Sequence, residues 1–139
     1  MPLPKIVTPS YELTLPSNGK KISYRPFLVK EEKILILAIE SNSLKEISRA
    51  TKDILKNCIL TKGVKVDQLP TFDIEYLFLN IRARSIGESI ELVVTCPDDG
   101  ETKVNKTIYI DEIQVKTDDD HNIDIKIDDT YTMRMKYPS

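Results

Sequence analysis

Four residues with metal-binding side chains recur at a regular spacing. Cys96-x2-Asp99 is followed, after eighteen residues, by Asp118-x2-His121. Zinc ribbons set C-x2-C, about 15–20 residues, then C-x2-C, with each pair on a hairpin turn. The stretch "TCPDDGET", residues 95–102, has the shape of such a turn, with Asp99 where a second cysteine would stand. The spacing fits a ribbon, but the ligands do not: structural zinc prefers a closed shell of sulfur and nitrogen. The reading is a degenerate zinc-ribbon-like hairpin without metal. His121 is then a surface turn residue after the acidic run "TDDD".

Other chemistry is sparse. His121 is the single histidine, so a Ser-His-Asp arrangement would depend on folding alone to bring its members together. Four glycines supply no phosphate-cradling loop. The aspartates of "TDDD" and of Asp128-Asp129 fall in turns, where such residues bond their own backbone. Catalytic carboxylates instead need partly desolvated sites that separate their pKa values. Arg82 and Arg84 could clamp phosphate or carboxylate. They also stand where cations suit the negative end of a helix dipole, and that reading is preferred. The expectation is no catalytic, cofactor-binding or metal-binding residue, no cofactor, and no enzyme activity.

The elements that would position these residues follow from composition and periodicity. The 139 residues are 40 % hydrophobic and 30 % charged, which suits a globular chain with a real core. The net charge of −2 gives no basic footprint for nucleic acid. The longest purely apolar run, Ile34–Ile39, is far short of the ~20 residues that span a bilayer. The opening "MPLPKIVTPS" does not read as a secretory signal. Cys58 and Cys96 form no disulfide framework, and these features together point to synthesis in a reducing cytoplasm.

Pro2, Pro4 and Pro9 predict an extended lead-in. Tyr11, Leu13, Leu15, Ile22 and Tyr24 alternate about Asn18-Gly19, a hairpin whose turn needs positive φ. The run "ILILAI" fits a buried strand or a helix buried all round; Ala38 and the acidic residues before the run favour the helix, closed by Ser41-Asn42-Ser43. A second helix starts at a capping box, Ser43 with Glu46, and puts Leu44, Ile47, Ile54, Leu55 and Cys58 on one face. That face is read as core rather than as a docking surface, and Cys58 as a small buried hydrophobe rather than a nucleophile. A third, central helix spans about Thr71–Ser85, with Thr71 as cap, Asp73 facing the dipole, and Phe72, Tyr76, Leu77, Leu79 and Ile81 making it apolar around most of its girth. Gly87 ends it.

The remainder alternates with a period of two: "ESIELVVT", "KVNKTIYI", "DEIQV", "NIDIKI" and "YTMRMKY". This predicts an antiparallel sheet with one wet face and a last strand, Tyr131–Tyr137, at its edge. The fold class is α+β: an N-terminal hairpin, about three helices, then the sheet. The division expected is 1–87, hairpin and helices, and 88–139, β unit, within one compact domain.

Three stretches carry a resemblance. "YELTLPSNGKKISYRPFLVKEEKILILAIES", "FDIEYLFLNIRARSIGESIELVVTCP" and the closing "MKYPS" resemble baseplate hub and hub assembly proteins of T4-like bacteriophages, over nearly the whole chain. "YRPFLVKEEK" and "RARSIGE" are its most specific phrases. The resemblance implies a late structural or assembly protein of a contractile tail, assembled in the host cytoplasm and located in the virion baseplate. It would bind other hub proteins through its helical face and sheet edges, with neither nucleic acid nor membrane as partner and homo-oligomerisation left open. A transient hub chaperone absent from the virion is an alternative, as is, from the residues alone, a small metal-binding regulatory domain. Members of the family continue past the equivalent of Tyr137-Pro138-Ser139 with a helical segment. The chain therefore reads as part of a longer protein, since "MRMKYPS" has no closing element.

Overall fold

The computed structural model describes residue 4 and residues 7–139; most of the lead-in expected over residues 1–6 lies outside them. The chain is α+β. Strands β1 (Tyr11–Thr14) and β2 (Lys21–Tyr24) pair antiparallel, with Tyr11 opposite Tyr24 and Leu13 opposite Ile22. Alternation therefore sends these four side chains to one face, and Glu12, Thr14, Lys21 and Ser23 to the other. Of the expected turn pair only Gly19 has positive φ (+67°). The loop closes through the Leu15 N–H to the Lys20 carbonyl and the Gly19 N–H to the Leu15 carbonyl, both 2.9 Å.

Three helices follow: α1 (Val29–Glu40), α2 (Leu44–Cys58) and α3 (Thr71–Ser85). Ser43 caps α2 by accepting from the Glu46 N–H. Beyond Cys58 the chain runs along β2: the Arg25 N–H reaches the Cys58 carbonyl at 2.9 Å and the Leu60 N–H the Ser23 carbonyl at 2.8 Å. A 3-10 turn, Val66–Gln68, leads to α3. The core joins Leu13, Leu15, Ile22 and Tyr24 of the hairpin to Ile54, Leu55 and Cys58 of α2, Val66, and Leu77 and Ile81 of α3. Leu44 does not share the buried face of α2; Ala50 does. At the first helical position Leu44 lies past the hairpin's reach and faces solvent.

Two polar ties fix the helices. Glu31, in the first turn of α1, is fully buried. It accepts from the Leu28 N–H at 2.8 Å and from Arg25 Nη2 at 3.0 Å, so a charge-assisted pair fastens α1 to the end of β2. Asp73, expected to serve the α3 dipole from the surface, is also fully buried and accepts from the Ser17 N–H at 3.2 Å and from the Ser17 hydroxyl. Thr71 is not the cap of α3. Pro70 holds that position, and both the Thr71 N–H (3.0 Å) and its hydroxyl (3.3 Å) donate to the Pro138 carbonyl.

The C-terminal strands pair antiparallel as two separate hairpins rather than one sheet. Strand β3 (Ser89–Thr95) pairs with β4 (Lys103–Tyr109), and β5 (Asp124–Lys126) with β6 (Thr132–Arg134). "DEIQV" is not a strand. Ile110–Glu112 turns in 3-10 form, closed by the Ile113 N–H to the Ile110 carbonyl at 3.1 Å, and buried Ile110 anchors it beside α3. A strand needs a ladder partner, and this turn spends its backbone groups locally.

Candidate interaction surface

The four residues of ribbon spacing are not brought together. Cys96 and Asp99 sit at the β3–β4 tip, where the Cys96 N–H bonds the Thr102 carbonyl at 2.9 Å. The Asp99 carboxylate is engaged in its own turn. The Thr102 hydroxyl and N–H and the Glu101 N–H all donate to it and hold its pKa below the usual carboxylate range. Asp118 and His121 form a different turn, before β5, and the His121 ring stacks on Tyr137 with centroids 5.5 Å apart. Among the described residues no three His, Cys, Asp or Glu side chains gather as a metal-binding group. The two pairs belong to two hairpins, so the ribbon-like unit expected over 96–121 does not form.

The arginines of α3 have structural surroundings. Arg84 lies over the Tyr11 ring, 4.9 Å from its centroid, and pairs with Glu88 at 2.9 Å. It stands in the last turn of α3 on an exposed face, as expected, and also reaches across to β1. Arg82 is half-buried, and its Nη1 has no hydrogen-bond partner among the described residues. Cys58 is fully buried, and burial pushes its thiol up to about 11, which suits a packing residue and not a nucleophile.

What the structure does assemble is exposed apolar surface. The β5–β6 register sets Ile125 opposite Met133. The ladder continues on both sides, through the Met135 N–H to the Ile123 carbonyl at 2.7 Å and the Ile127 N–H to the Tyr131 carbonyl at 3.0 Å. Ile123, Ile125, Ile127, Tyr131, Met133 and Met135 therefore share one face, and they remain 45 % to 66 % exposed. The other face carries Arg134 bound to both oxygens of Asp124, at 2.7 and 3.1 Å. This hairpin is held beside α3 by the Thr71–Pro138 bonds and by Phe72, whose ring meets Tyr137 edge-on at 5.0 Å. An isolated two-stranded hairpin is marginal in water, so six apolar side chains on one face call for a cover.

A second apolar surface lies on α1. Far from being buried all round, the helix leaves Ile36, Leu37 and Ile39 at least half exposed. Leu37 lines a groove of about 330 Å³ between α1 and α2, with Ile34, Ala38 and Ala50 as its other apolar walls. Along α2, Lys45, Arg49, Lys52 and Lys56 recur at helical spacing, interrupted by Glu46 and Asp53. The near-neutral total conceals an asymmetry. Residues 1–87 carry 14 Lys and Arg against 9 Asp and Glu, a net +5, whereas residues 88–139 carry 6 against 13, a net −7. Counting charge by half rather than in total was the signal available in the sequence. No helix among the described residues is long and apolar enough to cross a membrane.

The described residues thus combine a small α+β scaffold with two exposed apolar surfaces, one on β5–β6 and one on α1. The chain belongs to the T4 bacteriophage base plate protein family, whose model matches residues 8–139. Its place in a phage tail baseplate and a role in building or forming it follow from that membership. Searches of curated proteins and of solved structures found no match.

Proposed function

We propose that this protein is a structural or assembly component of the baseplate hub, working by occupying a partner's surface without substrate turnover. The observation that carries this reading is the β5–β6 face, with six apolar side chains half exposed on a hairpin fixed to the helical core. Methionine suits such a face, because an unbranched thioether adapts to an irregular partner. The unpaired outer edge of β6 offers backbone groups to the same partner. Synthesis late in infection and assembly in the host cytoplasm belong to this reading. The test is co-purification with hub proteins from infected cells, comparing wild type with the Met133→Asp/Met135→Asp double variant. Circular dichroism should show intact helices in the variant while hub co-assembly is lost. Normal assembly of infectious tails with the variant defeats the proposal. Recovery of the protein from purified particles at fixed copy number marks a resident part, and its absence there marks a transient chaperone.

A further inference from the structure

We infer that the β5–β6 face of one copy docks on the α1–α2 surface of a second copy, head to tail. The inference deepens the proposed contact role by naming an occupant for that same face, and it rests on reading the face as a contact surface.

Each surface sets apolar side chains beside charged ones, mostly acidic about the hairpin face and mostly basic along α2. The hairpin face is approached by Asp118, Asp119 and Asp120 and ends in the Asp128-Asp129 turn. Among the described residues, Asp118, Asp119, Asp120 and Asp128 make no ion pair, while Asp129 pairs with Lys126 at 2.8 Å. The helical surface sets the groove, whose walls include Glu46 and Asp53 as well as Arg49, beside the row Lys45, Arg49, Lys52 and Lys56 of α2. In that row Lys56 pairs with Asp67 at 2.8 Å and Lys52 stands 4.0 Å from it. Lys45 and Arg49 make no ion pair among the described residues, so they retain their charge for a partner. An apolar centre inside a polar rim is the usual anatomy of an interface, and complementary rims set orientation and partner choice.

The same chain cannot satisfy both surfaces at once in this fold. The hairpin is fixed at the start of α3 by Thr71, Phe72 and Pro138, and in that position its face stays half exposed. A second copy brings the missing half. The opposed charges of the two halves, +5 and −7, favour unlike parts of neighbouring copies meeting, while like parts repel. Because two different patches meet, the contact is heterologous, and repeated copies close into a ring or continue as a filament.

Sedimentation velocity of the full chain, over a range of concentration and salt, tests this. Self-association is expected, weaker at high salt because exposed charges are screened. Lys45→Glu/Arg49→Glu and, separately, Asp118→Lys/Asp119→Lys should each weaken it by about a hundredfold or more, the scale set by like charges facing across a contact. Circular dichroism should show both variants folded, since all four positions are exposed. Mixed in equal amounts, the two variants should associate again, because the intact hairpin face of one meets the intact helical face of the other, and their two reversed faces are complementary as well. Combining all four substitutions in one chain should restore association. A wild-type chain monomeric throughout, or association indifferent to either reversal, overturns the inference. No association in the mixture, where each variant alone is monomeric, overturns it too. A monomer that still co-purifies with hub proteins, in a manner lost with Met133→Asp/Met135→Asp, sinks only the head-to-tail contact and leaves the hub role standing.

Discussion

Acid should unfasten α1, and Glu31 sets the pH at which it does. Its side chain has no exposed surface, and that of Arg25 has 12 %. Burial alone would raise the Glu31 pKa. The Arg25 guanidinium, the Leu28 N–H and the nearby Lys30 charge outweigh it and hold the carboxyl below its usual range. The same bond raises Arg25 above its ordinary value. A carboxyl with a depressed folded-state pKa contributes stability that is fully present above its unfolded value, about 4.3, and is lost as pH falls through the folded value. Removing one member of a buried pair strands the other, which costs about 3–5 kcal/mol. That is a large share of the ~5–15 kcal/mol that holds a typical domain. Glu31→Ala should therefore lower stability by about 3–5 kcal/mol at pH 7. Glu31→Gln keeps an acceptor for Leu28 and Arg25 but removes the titration. Urea denaturation followed by circular dichroism, from pH 7 to pH 3, measures both. The wild type should lose stability below pH 4 more steeply than Glu31→Gln. Parallel acid slopes in the two proteins, or a loss under half a kcal/mol in Glu31→Ala, would refute the argument.

Three other outcomes are expected. Leu77, with no exposed surface in the middle of α3, should cost about 2–5 kcal/mol when truncated to alanine, read from chemical denaturation. A thiol reagent at pH 8 should label Cys96, which is partly exposed, and leave Cys58 untouched until the protein is unfolded; mass spectrometry of the labelled peptides separates the two. A strong chelator should leave the melting temperature unchanged, because Asp99 is held by its own turn and the 96–121 residues do not converge; a fall of many degrees, reversed by zinc, contradicts that.

Where local pattern and tertiary packing agree, the sequence was a sufficient guide. Helix α3 runs over Thr71–Ser85 as its apolar girth predicts, and Ser43 caps α2 through the Glu46 N–H, although the Ser43 N–H goes to the Ser41 hydroxyl and not to the Glu46 side chain of a full capping box. The hairpin about Gly19 has the inward set its alternation requires. The departures share one physical origin: periodicity tells which residues lie together, not what covers them. "ILILAI" forms a helix, but the hairpin and α2 reach only part of its circumference. Ile123, Ile125 and Ile127 share a face as expected, yet that face meets solvent. Asp73 and Glu31 read as ordinary first-turn acids, because the Ser17 and Arg25 groups that bury them come from other elements. Thr71 and Pro138 are too far apart in sequence for any local rule to pair them.

That last contact also makes the exposed face depend on the helical core. It joins residues 67 apart in sequence, a separation comparable to those that tie the first hairpin to α3, where Ser17 meets Asp73 across 56 and Arg84 lies over Tyr11. The core from Leu13 to Ile81 contains every residue of its buried cluster without the last hairpin. The β5–β6 segment contributes no residue to that cluster and is held at the start of α3 by Thr71, Phe72 and Pro138. The apolar face is displayed on its platform only where that platform exists, so a half-folded chain does not hold the face in this position.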